Sequence, residues 1–281
     1  MVSTPYDAWI MEQDCCLSER IINEYRGLNL SHPPRLTWTA TAEEALDKLT
    51  KKQFDMVITM PRLADMDAFV LGQKIKQQAP NLPVVLFSHS SIPSQECSIS
   101  QTRPPGIDRI FVWTGSTDLL LAAIKSTEDA MNVDADTEHG GIRVILFVED
   151  SPIYLSSLLP IFYKELVSQT QEVMEEGLNE EHRLLTMRAR PKILVAEDYE
   201  EAVALYRRYE PYILGVISDV RFPKQCHLQE DAGIQFLHQI KADHFDIPVI
   251  LGSSEPSNAD MAHLIPADFV DKNSPSLHED I

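Results

Sequence analysis

Two stretches of the sequence end on adjacent carboxylates: VILFVED, Val144 to Asp150, and KILVAED, Lys192 to Asp198. A third carboxylate, Asp219, ends the apolar run of GVISDVRFP. Ser253 follows PVILG, and Lys272 follows DFVD. Each of these residues sits where a buried strand stops. In an open parallel sheet, working residues collect at the carboxyl ends of the strands. Two or three carboxylates in one pocket repel one another unless a cation joins them. Hard oxygen ligands suit Mg²⁺, which takes one or two carboxylates and keeps several waters. With such charge compensation Asp219 can act as a nucleophile toward a phosphoryl group. Lys272 and the Ser253 hydroxyl can then hold the phosphoryl oxygens as charge develops.

The elements that must position these residues alternate strand and helix. In the first half we expect strands at Arg35–Ala40, Phe54–Thr59, Leu82–Phe87 and Ile107–Trp113. Ala8 to Met11 is a short apolar segment, and Leu17 to Leu28 has helical spacing. Helices are expected at Ala42–Leu49, capped by Thr41 with Glu44 at the capping-box position, at Ala68–Gln78 and at Ser116–Met131. The acidic, glycine-ended run NVDADTEHGG, residues 132–141, reads as a linker. The alternation then restarts, with strands at Val144, Lys192, Leu214, Pro248 and Asp268. The sequence therefore predicts one α/β fold written twice, each a parallel sheet with helices on both faces.

Spacing decides which acidic pair serves Asp219. Only 21 residues separate Asp198 from Asp219. A helix, a strand, a second helix and a third strand need ~40 or more. KILVAED is therefore the second strand of its domain, and VILFVED, 69 residues before Asp219, is the first. Glu197 and Asp198 are read as an acidic lead into a helix N-terminus, favourable with its dipole. The surplus between Pro152 and Pro191 predicts an elongated first helix or a helical hairpin, kinked at Pro160. Its stripe Leu155, Leu158, Leu159, Phe162 and Leu166 is read as core, with the remainder of 152–190 a candidate homodimer surface.

Bulk numbers limit the remaining functions. The net charge of −19 repels phosphates, which argues against nucleic acid as a partner. No apolar run approaches the ~20 residues of a membrane helix, and the N-terminus lacks a signal-peptide pattern. A cytoplasmic protein is expected, with no membrane partner. Cys15, Cys16, Cys97 and Cys226 lack zinc-site spacing and read as reduced thiols. His182 in EEHRLL reads as a solvated helix histidine.

Over Ile142 to Ile281 the sequence resembles the receiver domains of two-component response regulators. The resemblance rests on VEDSP (Glu149, Asp150), ISDVRFP (Asp219, Pro223), PVILGSS (Ser253) and FVDK (Lys272). It implies a flavodoxin-like, doubly wound, five-stranded parallel sheet with an elongated first helix. It also implies a phosphoacceptor at Asp219, fed from a phosphohistidine on a histidine kinase or phosphotransfer protein. Mg²⁺ would be held by Asp150 directly, Glu149 through water, Asp219 and the backbone carbonyl of Arg221. Ser253 and Lys272 would contact the phosphoryl group, and Phe269 would be the switching aromatic. Such a domain is not an enzyme beyond self-phosphorylation and self-dephosphorylation. Three departures stand out: Asn273 follows Lys272 where the family has proline, the loop KQCHLQED is long, and the first helix is oversized.

Residues 1–131 resemble the same fold with its site lost, a pseudo-receiver ahead of the linker 132–141 and the receiver 142–281. FDMVITMPRL puts Met60 at the acceptor position, Glu12 and Gln13 replace the acidic pair, Ser88 survives, and Trp113 or Thr114 stands for the lysine. The pair is also similar to the N-terminal region of bacterial proteins carrying a phosphoenolpyruvate/pyruvate-binding, dikinase-like domain. Two rival readings are an unphosphorylated interaction scaffold and a Mg²⁺-dependent phosphatase-type hydrolase. The latter would need a second aspartate where Arg221 stands.

Overall fold

The computed structural model describes residues 1–9, 19, 21–23, 34–89, 104–113, 116–175, 190–274 and 277. The chain divides into two compact units, Met1–Ala123 and Ile124–Ile281. Expectations on Glu12, Gln13, Cys15, Cys16, Cys97, Thr114, His182 and the Gly177 turn lie outside the described residues.

In the second unit the strands are β4 (Val144–Val148), β5 (Lys192–Ala196), β6 (Ile213–Asp219), β9 (Val249–Ser253) and β10 (Asp268–Asp271). All pair in parallel, in the order β10-β9-β6-β4-β5. Counted along the chain that is the flavodoxin-like order 2-1-3-4-5 read from the other edge. VILFVED is thus the central first strand and KILVAED its edge neighbour. Near-continuous Val, Ile and Leu in these strands match a sheet covered on both faces. One face packs on α6 (Tyr199–Tyr209), α7 (Ala232–Asp243) and α8 (Ala259–Leu264) through Leu146, Val216, Leu251, Tyr206, Phe236 and their neighbours. The other receives Leu158 and Phe162 of α5 (Pro152–Glu175), with Phe162 set edge-on to Phe147. The predicted stripe on α5 is largely core, with Leu155, Leu158, Leu159 and Phe162 all buried. Pro160 stays inside the helix.

In the first unit β1 (Val57–Thr59), β2 (Val84–Ser88) and β3 (Arg109–Val112) form a parallel sheet in that order. Val2 bridges Thr39 on one side and Thr59 on the other, which fills the two remaining positions of the same order. The expected strand at Arg35–Ala40 is reduced to the Thr39 bridge. Ala8 and Trp9, the described part of the apolar Ala8–Met11 segment, lie in a helical turn, α1 (Pro5–Trp9), and the central position belongs to Val2. Helices α2 (Ala42–Lys51) and α3 (Ala68–Gln78) flank this sheet in sequence. Thr41 caps α2 as expected, accepting from the Glu44 amide, while the Glu44 carboxylate accepts from the Ala40 amide.

The expected linker at 132–141 is corrected. Helix α4 runs unbroken from Thr117 to Gly140, and the division between units falls inside it. The glycine pair is a helix end: Gly141 has φ 62, its amide donates to Thr137, and the Ile142 amide reaches back to Asp136. The Gly141-to-Thr137 bond is that of the αL cap, which needs a left-handed residue. The acidic residues that suggested a solvated linker have fixed partners. Asp134 accepts from Tyr209 Oη at 2.6 Å and Arg208 at 2.7 Å, and Asp136 pairs with Lys192 at 2.8 Å. Val133 enters the second core.

Asp129 of α4 is fully buried and carries most of this anchoring. It accepts from Arg190 at 2.5 and 3.2 Å, Tyr163 Oη at 2.8 Å and the Ile193 amide at 3.1 Å, with Lys192 at 3.5 Å. The predicted domain start at Ile142 would cut this network away. Removing one partner of a buried ion pair is costly because the other charge stays buried. We expect Asp129→Ala to lower stability by about 3 kcal/mol, the low end of the usual range because Arg190 and Lys192 keep some solvent access. A denaturant-unfolding curve of the full chain checks this. A loss below about 0.5 kcal/mol, within the scatter of ordinary surface substitutions, would refute it.

Candidate functional site

Parallel pairing brings the carboxyl ends of β4, β6, β9 and β10 to one edge. Val148 lies opposite Ser218, Asp219 opposite Gly252, and Ser253 opposite Asp271. Glu149 and Asp150 follow β4, Asp219 ends β6, Ser253 ends β9 and Lys272 follows β10. The structure brings Glu149, Asp150, Asp219 and Lys272 into one cluster. The Lys272 ammonium is 2.5 Å from Glu149 Oε2 and 2.9 Å from Asp219 Oδ2. Glu149 has no solvent exposure and Lys272 is 7% exposed, so this is a buried bridge. The other Glu149 oxygen accepts from the Ser151 amide, and Asp219 Oδ1 accepts from the Val220 amide at 2.7 Å.

Two glycines permit this closeness. A Cβ on Gly233, at the start of α7, would fall 1.9 Å from the Asp219 carbonyl oxygen. The Gly233 amide donates to the Val220 carbonyl, so α7 rests directly on the strand end carrying Asp219. A Cβ on Gly252 would press on Lys272 Cε at 3.2 Å.

Oxygen atoms of Glu149, Asp150 and Asp219 lie within 4.8 Å of one another. Three carboxylates against one ammonium leave a formal charge of −2, which a divalent cation neutralises. Hard oxygens at a shallow strand edge fit Mg²⁺ better than softer metals. Burial pushes the Glu149 carboxyl up, Lys272 pulls it back, and Asp219 pushes it further. Burial and then the Asp219 charge raise Asp150 from its usual 3.8 to about 7. Burial works against the Lys272 charge, but Glu149 and Asp219 outweigh it and hold the ammonium above the ordinary lysine range.

The other predicted residues are placed as follows. The buried Ser253 hydroxyl accepts from the Glu255 amide at 3.0 Å and Asn258 Nδ2 at 2.9 Å, and so is held by its own loop. The Arg221 guanidinium points to Glu230 at 3.4 Å and Glu255 at 3.3 Å. Phe269 is half-buried against the second core. The long loop after Asp219 is an antiparallel hairpin of β7 (Phe222–Lys224) and β8 (His227–Gln229). Its turn residues Gln225 and Cys226 have φ of 53 and 63, the two positive values of a type I′ turn. Asp198 caps α6 by accepting from the Glu201 amide, the role expected of the second acidic pair.

The first unit repeats the register with other residue types at the strand ends. The Trp113 amide donates to Ser88 as the Lys272 amide donates to Ser253. The Ser3 amide donates to Thr39 as the Glu149 amide donates to Ala196. Met60, buried at the end of β1, Ser88 and Trp113 thus stand where Asp219, Ser253 and Lys272 stand in the second unit. By the same register Ser3 and Thr4 stand where Glu149 and Asp150 stand in the second unit, while Glu12 and Gln13, expected there, lie outside the described residues. A strand represented by one bridged residue leaves no apolar run to find in the sequence. Asp65 and Asp67 are helix caps, Asp65 accepting from the Ala42 and Glu43 amides and Asp67 from Phe69.

No protein-family model matches the chain. It is 33% identical over 86 residues to the DNA-binding transcriptional regulator NtrC of Klebsiella pneumoniae, covering 30% of this chain and 18% of that protein. The chain therefore spans about a fifth of the length of this curated relative. A signal receiver domain of an HD domain-containing protein from Pseudomonas fluorescens aligns at 22% identity. That alignment covers 43% of this chain and 87% of the other, with a TM-score of 0.32. A probable two-component system response regulator/GGDEF domain protein aligns at 15% identity over 93% of this chain and 88% of the other, TM-score 0.34. NtrX from Brucella abortus aligns at 14% identity over 94% and 55%, TM-score 0.37.

The raised Asp150 carboxyl gives a signed pH dependence. Between 3.8 and about 7 the folded state holds a proton that the unfolded chain has released, so stability without metal falls as pH rises through that window. A divalent cation binds the ionised form. We expect the rise in melting temperature on adding Mg²⁺ to be larger at pH 8 than at pH 5.5. Thermal melts at both values check this, and a pH-independent rise would contradict it.

Proposed function

We propose that the second unit is a phosphoryl-accepting receiver of a two-component phosphorelay and that the first unit is a pseudo-receiver. The observation that carries the reading is the buried Lys272 bridge between Glu149 and Asp219 inside a cluster of three carboxylates. Asp219 presents a carboxylate oxygen to the phosphorus of a phosphohistidine. The O–P bond forms, the P–N bond breaks, and the imidazole leaves and takes up a proton. Bound Mg²⁺, held by Glu149, Asp150, Asp219 and the Arg221 carbonyl, would neutralise phosphoryl charge. Lys272 keeps its hold on Asp219 and turns its other donors to a phosphoryl oxygen. Ser253, released from its loop partners, donates to another. Phe269 and α8 lie on the neighbouring elements through which such a shift is read out.

The donor in this reading is a histidine kinase or phosphotransfer protein. The output is a protein contact or, by the sequence resemblance, a phosphoenolpyruvate/pyruvate-binding domain. Among the described residues no helix is long and apolar enough to cross a membrane.

Incubation with acetyl phosphate and Mg²⁺, read by intact mass, tests the proposal. The expected result is one base-labile phosphoryl group per chain, lost in Asp219→Asn and when Mg²⁺ is chelated. Equal labelling of Asp219→Asn would move the acceptor elsewhere. No labelling, together with no stabilisation by beryllofluoride and Mg²⁺, would favour the scaffold reading.

A further inference from the structure

Lys272 has a third neighbour besides its two carboxylates. The Tyr154 ring lies against the ammonium, with Nζ 4.7 Å from the ring centroid. An ammonium has three donors, and two point at Glu149 and Asp219. The third side thus meets a π-face, an attraction of electrostatic origin that is stronger when desolvated. Tyr154 is in the first turn of α5, four residues after Asp150, so one short segment supplies both a carboxylate and this cover.

The tyrosine is itself held. Its hydroxyl donates to Asn273 Oδ1 at 3.3 Å. Asn273 Nδ2 donates to the Ser254 carbonyl at 3.0 Å, and the Asn273 amide donates to Asp271 Oδ1 at 2.9 Å. Asn273 therefore ties α5, the loop beginning at Ser253 and the end of β10 together beside the ammonium. A proline at this position has neither the side-chain amide nor the backbone N–H for these bonds. The departure noted in the sequence has a structural use.

We infer that Tyr154 is a positioning residue for Lys272 through its ring, with the hydroxyl bond to Asn273 a secondary support that the ring can do without. The inference rests on the proposed phosphoacceptor role of Asp219 for its functional consequence. The ring keeps the ammonium over Asp219 when Lys272 exchanges a carboxylate contact for a phosphoryl oxygen. Without the ring, a flexible four-carbon stem can leave the pocket toward solvent.

Two measurements separate this inference from the receiver reading. The first needs no phosphodonor: NMR of the full chain, reading the Lys272 ε-methylene protons. Ring current should displace them upfield in the wild type and Tyr154→Phe, and the displacement should vanish in Tyr154→Leu. The second is the rate of labelling by acetyl phosphate with Mg²⁺. Tyr154→Phe should keep the wild-type rate within twofold, and Tyr154→Leu should lose about tenfold, the scale of a partly desolvated cation–π contact. Rescue by phenylalanine but not leucine distinguishes positioning from mere packing. The same Lys272 shifts in Tyr154→Leu as in the wild type, or equal labelling rates in the two variants, would overturn the inference. If the wild type takes no phosphoryl group but shows the ring-current displacement, the receiver reading fails and the placement of Lys272 by Tyr154 stands.

Discussion

A lysine ammonium with almost no access to water is tolerable only where carboxylates surround it, and buried carboxylates are tolerable only where cations meet them. Lys272 between Glu149 and Asp219 satisfies both conditions incompletely, because the third carboxylate, Asp150, leaves excess negative charge. The rest of the second unit is arranged around that imbalance. Parallel pairing brings four strand ends to one edge, Gly233 lets α7 rest on the Asp219 backbone, and Gly252 leaves room for the lysine stem. A site left short of positive charge is one whose occupancy, by a cation and then by a phosphoryl group, changes its energetics most.

The other end of the second unit is tied by a second buried ionic group. Asp129 gathers Arg190, Lys192, Tyr163 and the Ile193 amide, so helix α4 is part of this unit from Ile124 onward. Here both oxygens of the Asp129 carboxylate have partners, and with Asp136 on Lys192 two carboxylates meet two cations, with no formal excess to be filled from outside. Two buried acidic centres in one unit thus differ in kind. One is balanced and structural, and the other is unbalanced and suited to chemistry.

The first unit shows the same strand-end hydrogen bonding with other residue types at the edge. In that register Met60, Trp113, Ser3 and Thr4 take the places of the charged residues, and Ser88 the place of Ser253. Phe87 packs with Phe111 and Trp113 along the two strands that end at Ser88 and Val112. Uncharged residues at such an edge carry no cost of desolvating charge, so the backbone register needs no ion pair to hold it.

Much of the candidate site was legible in the chain alone. Apolar runs marked the five strands of the second unit, and a carboxylate, hydroxyl or lysine at the end of four of them marked the shared edge. The distance from Asp198 to Asp219 was enough to exclude the second acidic pair, because a helix and a strand have minimum lengths. Tertiary structure decided the rest. Glycines 140 and 141 end a helix instead of a linker, because Val133 and Asp129 have a core and partners to reach, and those partners lie far along the sequence. The first strand of the first unit is the single bridged residue Val2, a length at which no periodicity exists to be read. Tyr154 and Asn273 meet beside Lys272 only after 119 residues of chain have closed between them, and sequence spacing carries no trace of a contact that depends on where α5 enters the sheet. Residue type and strand-end placement are local properties and can be read from sequence, whereas which groups share a charge is settled only when distant segments pack.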